Sequence, residues 1–269
     1  MSRISETFKT LKARKEGALI GYIMAGDPTP KLTPKIADAL IIGGADILEL
    51  GLPFSDPIAD GPTIQAASLR ALNAGTTPKA VLGIVKQIKG KHDVPVIVMT
   101  YCNPVFKMGL QEFFCAAKSS FVDGVIVPDL PVEEAGDYRK AAAAQNIDTV
   151  FLAAPSTSNE RLSKIVACSS GFLYLISHFG VTGAKTAVEE STLSLVKRVM
   201  PYTTGRIPLA VGFGVSKPEH VKSLITAGAD GVIVGSAFVN IMAKYAGDAA
   251  KIYTEIEETA KKLKEATPQ

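Results

Sequence analysis

Three acids share the stretch "ELGLPFSDPIADG", which runs from Glu49 to Gly61. Glu49 closes an apolar run, "ILELG", while Asp56 and Asp60 fall in the Pro-broken segment behind it. A carboxylate inside a buried strand is costly unless it is partnered or used. If Leu48 and Leu50 face one side of the strand, Glu49 faces the other. Asp56 in "SDP" fits a turn start, and Asp60 in "IADGPT" fits a turn or a cap for the helical pattern behind it. Their spacing alone does not separate these two. Carboxylates with raised pKa values suit proton transfer near neutral pH.

A second constellation is made of glycines. "GVTG" (Gly180 to Gly183), "GFG" (Gly212 to Gly214) and "GS" (Gly235, Ser236) each follow a β-branched run. Glycine lets backbone amides approach an anion closely, and a helix N-terminus adds the positive end of its dipole. Three such sites in series point to phosphate binding. A sugar phosphate and FMN fit equally well. The strand ends carry no Lys for Schiff-base chemistry and no His/carboxylate cluster for a metal. Acid–base work on a phosphorylated substrate remains.

These residues need elements to carry them. Eight short apolar runs alternate with amphipathic ones: Ala18 to Met24, Asp46 to Gly51, Val94 to Tyr101, Asp123 to Pro128, Asp148 to Ala154, Gly171 to Ser177, Ile207 to Gly214 and Asp230 to Ser236. Continuous apolar runs, rather than in-out alternation, mark parallel strands covered on both faces. "Gly-Ala-Asp" recurs at Gly44 and Gly228, where glycine ends a helix before the next strand. The pattern predicts an α/β fold, a (β/α)8 TIM barrel, as one domain over residues 1–269. An open doubly wound sheet is disfavoured because "GYIMAGDP", not GxGxxG, follows the first run. An amphipathic N-terminal helix with Ile4, Phe8 and Leu11 on one face would be an addition to the barrel.

Composition narrows the classes. Hydrophobic residues make up 47%, enough for a packed core. Lys and Arg number 29 against 26 Asp and Glu, with no basic block to grip nucleic acid. Three cysteines far apart, without a CxxC pair, fit reduced thiols. No signal peptide and no membrane-spanning run is present, so a soluble, cytoplasmic protein is expected.

Taken in order, "GYIMAGDP", "ADILELGLPFSDPIADGPTIQ", "MTYCNPV", "VPDLPVEE", "GVTGAK", "VGFGVSKPEHV" and "GADGVIVGSA" resemble the tryptophan synthase alpha chain family from about residue 17 to about 245. The resemblance implies a barrel that cleaves indole-3-glycerol phosphate to indole and glyceraldehyde 3-phosphate, with no metal and no cofactor of its own. It implies Glu49 and Asp60 as the catalytic pair. Gly183, Gly214, Gly235 and Ser236 would lie in the phosphate loops. Loops after the second and sixth strands, the latter with Thr182, would close as lids. The implied partner is the beta chain, which carries pyridoxal phosphate, in an α2β2 heterotetramer. Asp56, Asn103 and Asp129 then read as interface or loop-positioning residues. "SHFGVTG" departs from the family, where an Arg often follows the Ser; His178 and Phe179 stand there instead.

The chemistry suits these residues. Indole C3 leaves well only after protonation, which needs an acid, and the adjacent hydroxyl must lose its proton to a base. Positive charge then grows at the indole nitrogen and favours a nearby carboxylate. Glu49 is expected to move the protons and Asp60 to hold the indole N–H. Tyr22, Tyr174 and Phe213 either line the indole pocket or pack the core. Two other readings stay open: a stand-alone lyase releasing free indole, and an FMN-binding barrel.

Overall fold

The computed structural model describes residues 1–176, 185–212 and 214–268, and in 185–189 the backbone only. Its strands are β1 (Ala18–Met24), β2 (Ile47–Gly51), β3 (Val96–Met99), β4 (Gly124–Ile126), β5 (Asp148–Val150), β6 (Leu152–Ala153), β7 (Leu173–Ile176), β8 (Leu209–Gly212) and β9 (Gly231–Val234). The helices are α1 (Arg3–Ala13), α2 (Thr33–Ile42), α3 (Pro62–Asn73), α4 (Pro78–Lys89), α5 (Cys102–Met108), α6 (Leu110–Ser119), α7 (Gly136–Ala144), α8 (Asn159–Cys168), α9 (Lys185–Thr203), α10 (Pro218–Thr226), α11 (Ser236–Lys244) and α12 (Ala249–Lys264).

All strand pairs are parallel, in the order β5-β4-β3-β2-β1-β9-β8-β7-β6. The ends of that list, β5 and β6, are separated only by Phe151, so the sheet closes on itself as a (β/α)8 barrel. The fifth expected strand is therefore split. Its alternation runs through the break: Val150 and Leu152 join the interior cluster, and Phe151 and Ala153 join the outer one.

The same alternation sets the layers. Leu19, Leu48, Leu50, Val96 and Val98 pack outward against the helices. Ile20, Ile47, Ile97, Ile126 and Ile233 fill the lower interior, which α1 closes with Ile4, Phe8 and Leu11. The N-terminal helix is thus a plug for the end of the barrel opposite the strand C-termini.

At that lower rim a three-residue pattern occurs four times among the described residues. A left-handed residue, an apolar residue and an Asp lead into β2, β4, β5 and β9, the Asp being the first residue of the strand in β5: Gly44-Ala45-Asp46, Phe121-Val122-Asp123, Asn146-Ile147-Asp148 and Gly228-Ala229-Asp230. In three of them the Asp clamps one residue of the neighbouring strand. Its N–H donates to the carbonyl of Leu19, Val96 or Leu209. Its carboxylate accepts the N–H of the same residue at 2.8 to 2.9 Å. Asp148 is the exception. The N–H it would clamp, that of Asp123, is already donated to Val96. No helix among the described residues is long and apolar enough to cross a membrane.

Candidate active site

Alternation carries upward to the mouth. With Leu48 and Leu50 facing the helices, Glu49 points into the barrel, opposite Tyr22 in the β1–β2 register. It is 1% exposed, and neither carboxyl oxygen has a hydrogen-bond partner among the described residues. Burial, reinforced by the charge of Asp60, pushes its carboxyl up to about 8. The buried Tyr22 and the half-buried Tyr174 stand near it. Desolvation first, then the Asp60 and Glu49 charges, hold both well above the usual phenol range. A Cβ at Gly51 would come within 2.3 Å of the Tyr22 hydroxyl, and one at Gly212 within 2.6 Å of the Tyr174 hydroxyl. Glycine at these two strand ends makes room for the rings.

Asp60 reaches the same place from the loop after β2. Burial raises its carboxyl to about 6, and a hydrogen bond with the Tyr101 hydroxyl draws it back. Tyr101 also accepts the Ala59 N–H at 3.1 Å and stacks on Phe54 at 5.4 Å between ring centroids. One side chain at the end of β3 thus touches the loop near its start and at Asp60. Tyr101 was not among the candidate residues read from the sequence. The signal was available: continuing the inward alternation of Ile97 and Met99 by two residues reaches it.

Asp56 lies apart from the pair. It is exposed and takes a hydrogen bond from the adjacent Ser55 hydroxyl. Asn103 is exposed on α5. Asp129 is half-buried and accepts the Cys102 N–H at 2.9 Å, at the first residue of α5. The Cys102 thiol, also bonded to Asp129, is pushed up to about 12, chiefly by burial. Asp129 thus positions a helix start, and neither Asp56 nor Asn103 enters the mouth.

Of the phosphate candidates, Gly235 is the N-cap of α11 and Ser236 its first residue. Their position gives an anion the free N–H groups of a helix start. Gly214 takes a left-handed φ of 79°. Gly183, Thr182, His178, Phe179 and Phe213 lie outside the described residues. A Cβ on Gly235 would meet the Tyr22 ring at 3.1 Å, which puts the helix start against the aromatic wall.

Two cavities differ in chemistry. One of about 320 Å³ lies on the mouth side beside Ala59, Pro128, Phe151, Arg161 and Ile165, and none of Glu49, Asp60 and Tyr22 lines it. A larger one of about 710 Å³ lies at the plugged end, among Arg3, Asp46, Asp93 and Lys264. Size points to the second, but its acids have cations: Arg3 pairs with Asp93, and Lys264 with Asp46 at 2.9 Å. The buried acid with no partner on either oxygen among the described residues, Glu49, is at the mouth. Among the described residues no group of three His, Cys, Asp or Glu is arranged to hold a metal ion.

The comparisons bear on the family and the fold. The family model described as "Tryptophan synthase alpha chain" matches residues 8–268. The tryptophan synthase alpha chain of Methanosarcina barkeri is 47% identical over 262 residues, covering 97% of this chain and 96% of the relative. The crystal structure of tryptophan synthase subunit alpha from Legionella pneumophila superposes with a TM-score of 0.90 at 34% identity, over 99% of this chain and 98% of that one. A chain of the tryptophan synthase α2β2 complex from Pyrococcus furiosus gives 0.84 at 40% identity, over 93% and 98%. With the family model matched over residues 8–268 and a relative 47% identical, the chain belongs to the tryptophan synthase alpha chain family.

Proposed function

We propose that the chain is a carbon–carbon lyase that cleaves indole-3-glycerol phosphate to indole and glyceraldehyde 3-phosphate. The observation that carries this reading is Glu49: buried, without donors among the described residues, and raised to about 8, it holds a proton at neutral pH. Glu49 gives that proton to indole C3, and the ring becomes an iminium. The carboxylate so formed takes the proton of the adjacent side-chain hydroxyl. The C–C bond breaks, its electron pair returns to the ring and the hydroxyl carbon becomes the aldehyde. Glu49 ends protonated, so the cycle balances. Asp60, ionised above about 6, accepts the indole N–H and stabilises the positive ring. Tyr22, Tyr174 and Phe213 line the indole, Thr182 belongs to a lid, and Gly183, Gly214, Gly235 and Ser236 hold the phosphate. This chemistry asks for no cofactor in this chain.

The partner in this reading is a tryptophan synthase beta chain, in an α2β2 assembly like that of the Pyrococcus furiosus relative, with the cytoplasm as its setting. Asp56 and Asn103, exposed beside the mouth, would face it. Steady-state release of indole from indole-3-glycerol phosphate tests the proposal, measured with the purified chain alone and with a beta chain added. Cleavage that rises strongly on addition supports it. Equal rates would favour a stand-alone lyase, and no cleavage in either case would overturn the reaction.

A further inference from the structure

Asp60 stands two residues before α3, so the seat of that helix sets where the carboxylate lies. The helix makes three polar attachments. The Gln65 amide donates to the Asp60 carbonyl at 2.8 Å. The Ser68 hydroxyl accepts the Phe54 N–H at 2.9 Å and donates to the Phe54 carbonyl at 2.8 Å. Both of these tie the loop to the helix. The third ties the helix to the barrel: Arg70 donates from Nε and Nη2 to the two carboxyl oxygens of Asp27, at 2.8 and 2.7 Å. Asp27 lies just beyond the end of β1 and is fully buried.

Apolar packing leaves work for that pair. The fully buried apolar side chains of α3 are Ala67 and Ala71, packed with the half-buried Ile64 against Tyr22, Met24 and Val239. Two methyl groups and one half-buried Ile64 make a small apolar contact, which resists sliding or rotation poorly. A bidentate guanidinium–carboxylate fork fixes direction as well as distance. Yet a buried ion pair is weak evidence for stability, because desolvation offsets much of its attraction. Orientation is what this geometry supplies best.

We propose that Asp27 and Arg70 are positioning residues for the candidate reaction: their ion pair sets the seat of α3 and thereby holds Asp60 at the barrel mouth. The inference rests on the role given to Asp60 above. It names neither residue as catalytic, since neither touches the reacting atoms.

Two variants of the full chain test it. Arg70→Lys keeps the charge and loses the fork. Asp27→Leu/Arg70→Met replaces the pair by apolar groups, a change that often preserves stability. Each is assayed for kcat and KM on indole-3-glycerol phosphate, for the pH profile of kcat/KM, for Tm, and for amide exchange at Ala59 and Asp60. In both, kcat is expected to fall about 10- to 100-fold, the loss that a small misplacement causes, with KM within about twofold. The acid limb of the profile should move down from near 6 as Asp60 gains water. Amide exchange at the two loop residues should rise about fivefold or more. An Arg70→Lys chain that keeps its fold, its kcat and its acid limb overturns the proposal. So does one that no longer folds, since the pair would then be a stability element. If the unsubstituted chain does not cleave the substrate, the functional reading fails, and the exchange measurement still decides whether the pair holds the loop.

Discussion

The two ends of the barrel treat the same chemical group in opposite ways. At the plugged end Asp123 is nearly buried, and its carboxylate accepts the Val96 N–H and the Lys89 ammonium, each at 2.8 Å, with Arg3 at 3.2 Å. Asp46 and Asp230 have the same kind of clamp on Leu19 and Leu209, although burial still raises the Asp46 carboxyl against the pull of Lys264 and the Leu19 N–H. At the mouth Glu49 is buried more deeply and is given no donor among the described residues. Burial penalises the charged form in both places, and the surroundings decide whether that penalty is offset. Asp148 lies between the two cases. Ser2 and Ser170 bond to it, one oxygen is left without a partner, and burial raises its carboxyl. Acids that hold the fold are supplied with N–H groups and cations, and the acid that would carry a proton is denied them.

The strongest way to break that contrast is Glu49→Gln. Cleavage should fall at least about 10³-fold, the upper part of the range for general acid–base catalysis. Stability should move the other way. The folded carboxyl titrates near 8 and the unfolded one near 4.5, so the unfolded chain loses its proton first as pH rises. The parent is then most stable below about 4.5 and loses stability through 8, while the glutamine variant has no such loss. At pH 8 the variant should be more stable by about 2–4 kcal/mol, with the difference gone near pH 4. Urea unfolding at both pH values measures it. A variant less stable than its parent at pH 8 would mean that the mouth does supply donors to an ionised Glu49. The parent's kcat/KM should be bell-shaped, with limbs near 6 and 8 from Asp60 and Glu49.

Asp123→Asn probes the other end. It removes the charge that Lys89 faces, and the Lys89 side chain is only 8% exposed. Stability should fall by about 2–4 kcal/mol, because a buried cation loses its counter-charge. The value of kcat should stay within about twofold, since the site is at the far end of the strands. The urea midpoint and a steady-state assay check both parts together. A large loss of kcat in a folded variant would show the two ends to be coupled.

Much of this was legible in the sequence, and what was not has a common cause. The apolar runs marked the strands, and the flanking leucines aimed Glu49 inward, because both signals repeat over neighbouring residues. "Gly-Ala-Asp" was read through its glycine, whose left-handed φ at Gly44 and Gly228 is a local property. The role of the Asp depends on a strand N–H lying 27 residues away in one case and 21 in another. Asp56 and Asp60 look alike along a Pro-rich loop, and it is Tyr101, from another strand, that picks out Asp60. Arg70 and Asp27, 43 residues apart, meet only once the barrel is closed. The split of the fifth strand at Phe151 likewise arises where the sheet closes and leaves no mark in composition.

The smallest effect separates two contributions at the plugged end. Asp230 accepts the Leu209 N–H at 2.9 Å and has Lys12 at 3.8 Å. The Lys12 side chain is 71% exposed, so this pair is screened by water and pays for ordering a long side chain. Lys12→Met should therefore change stability by only about 0–0.5 kcal/mol, and added salt should erase even that. Asp230→Ala instead leaves the Leu209 N–H without its acceptor and should cost about 1–2 kcal/mol. Urea midpoints for the two variants at low and high salt distinguish them. If Lys12→Met proved as costly as Asp230→Ala, the lower rim would be held by charge rather than by its strand clamps. The contrast with the mouth would then rest on cations alone.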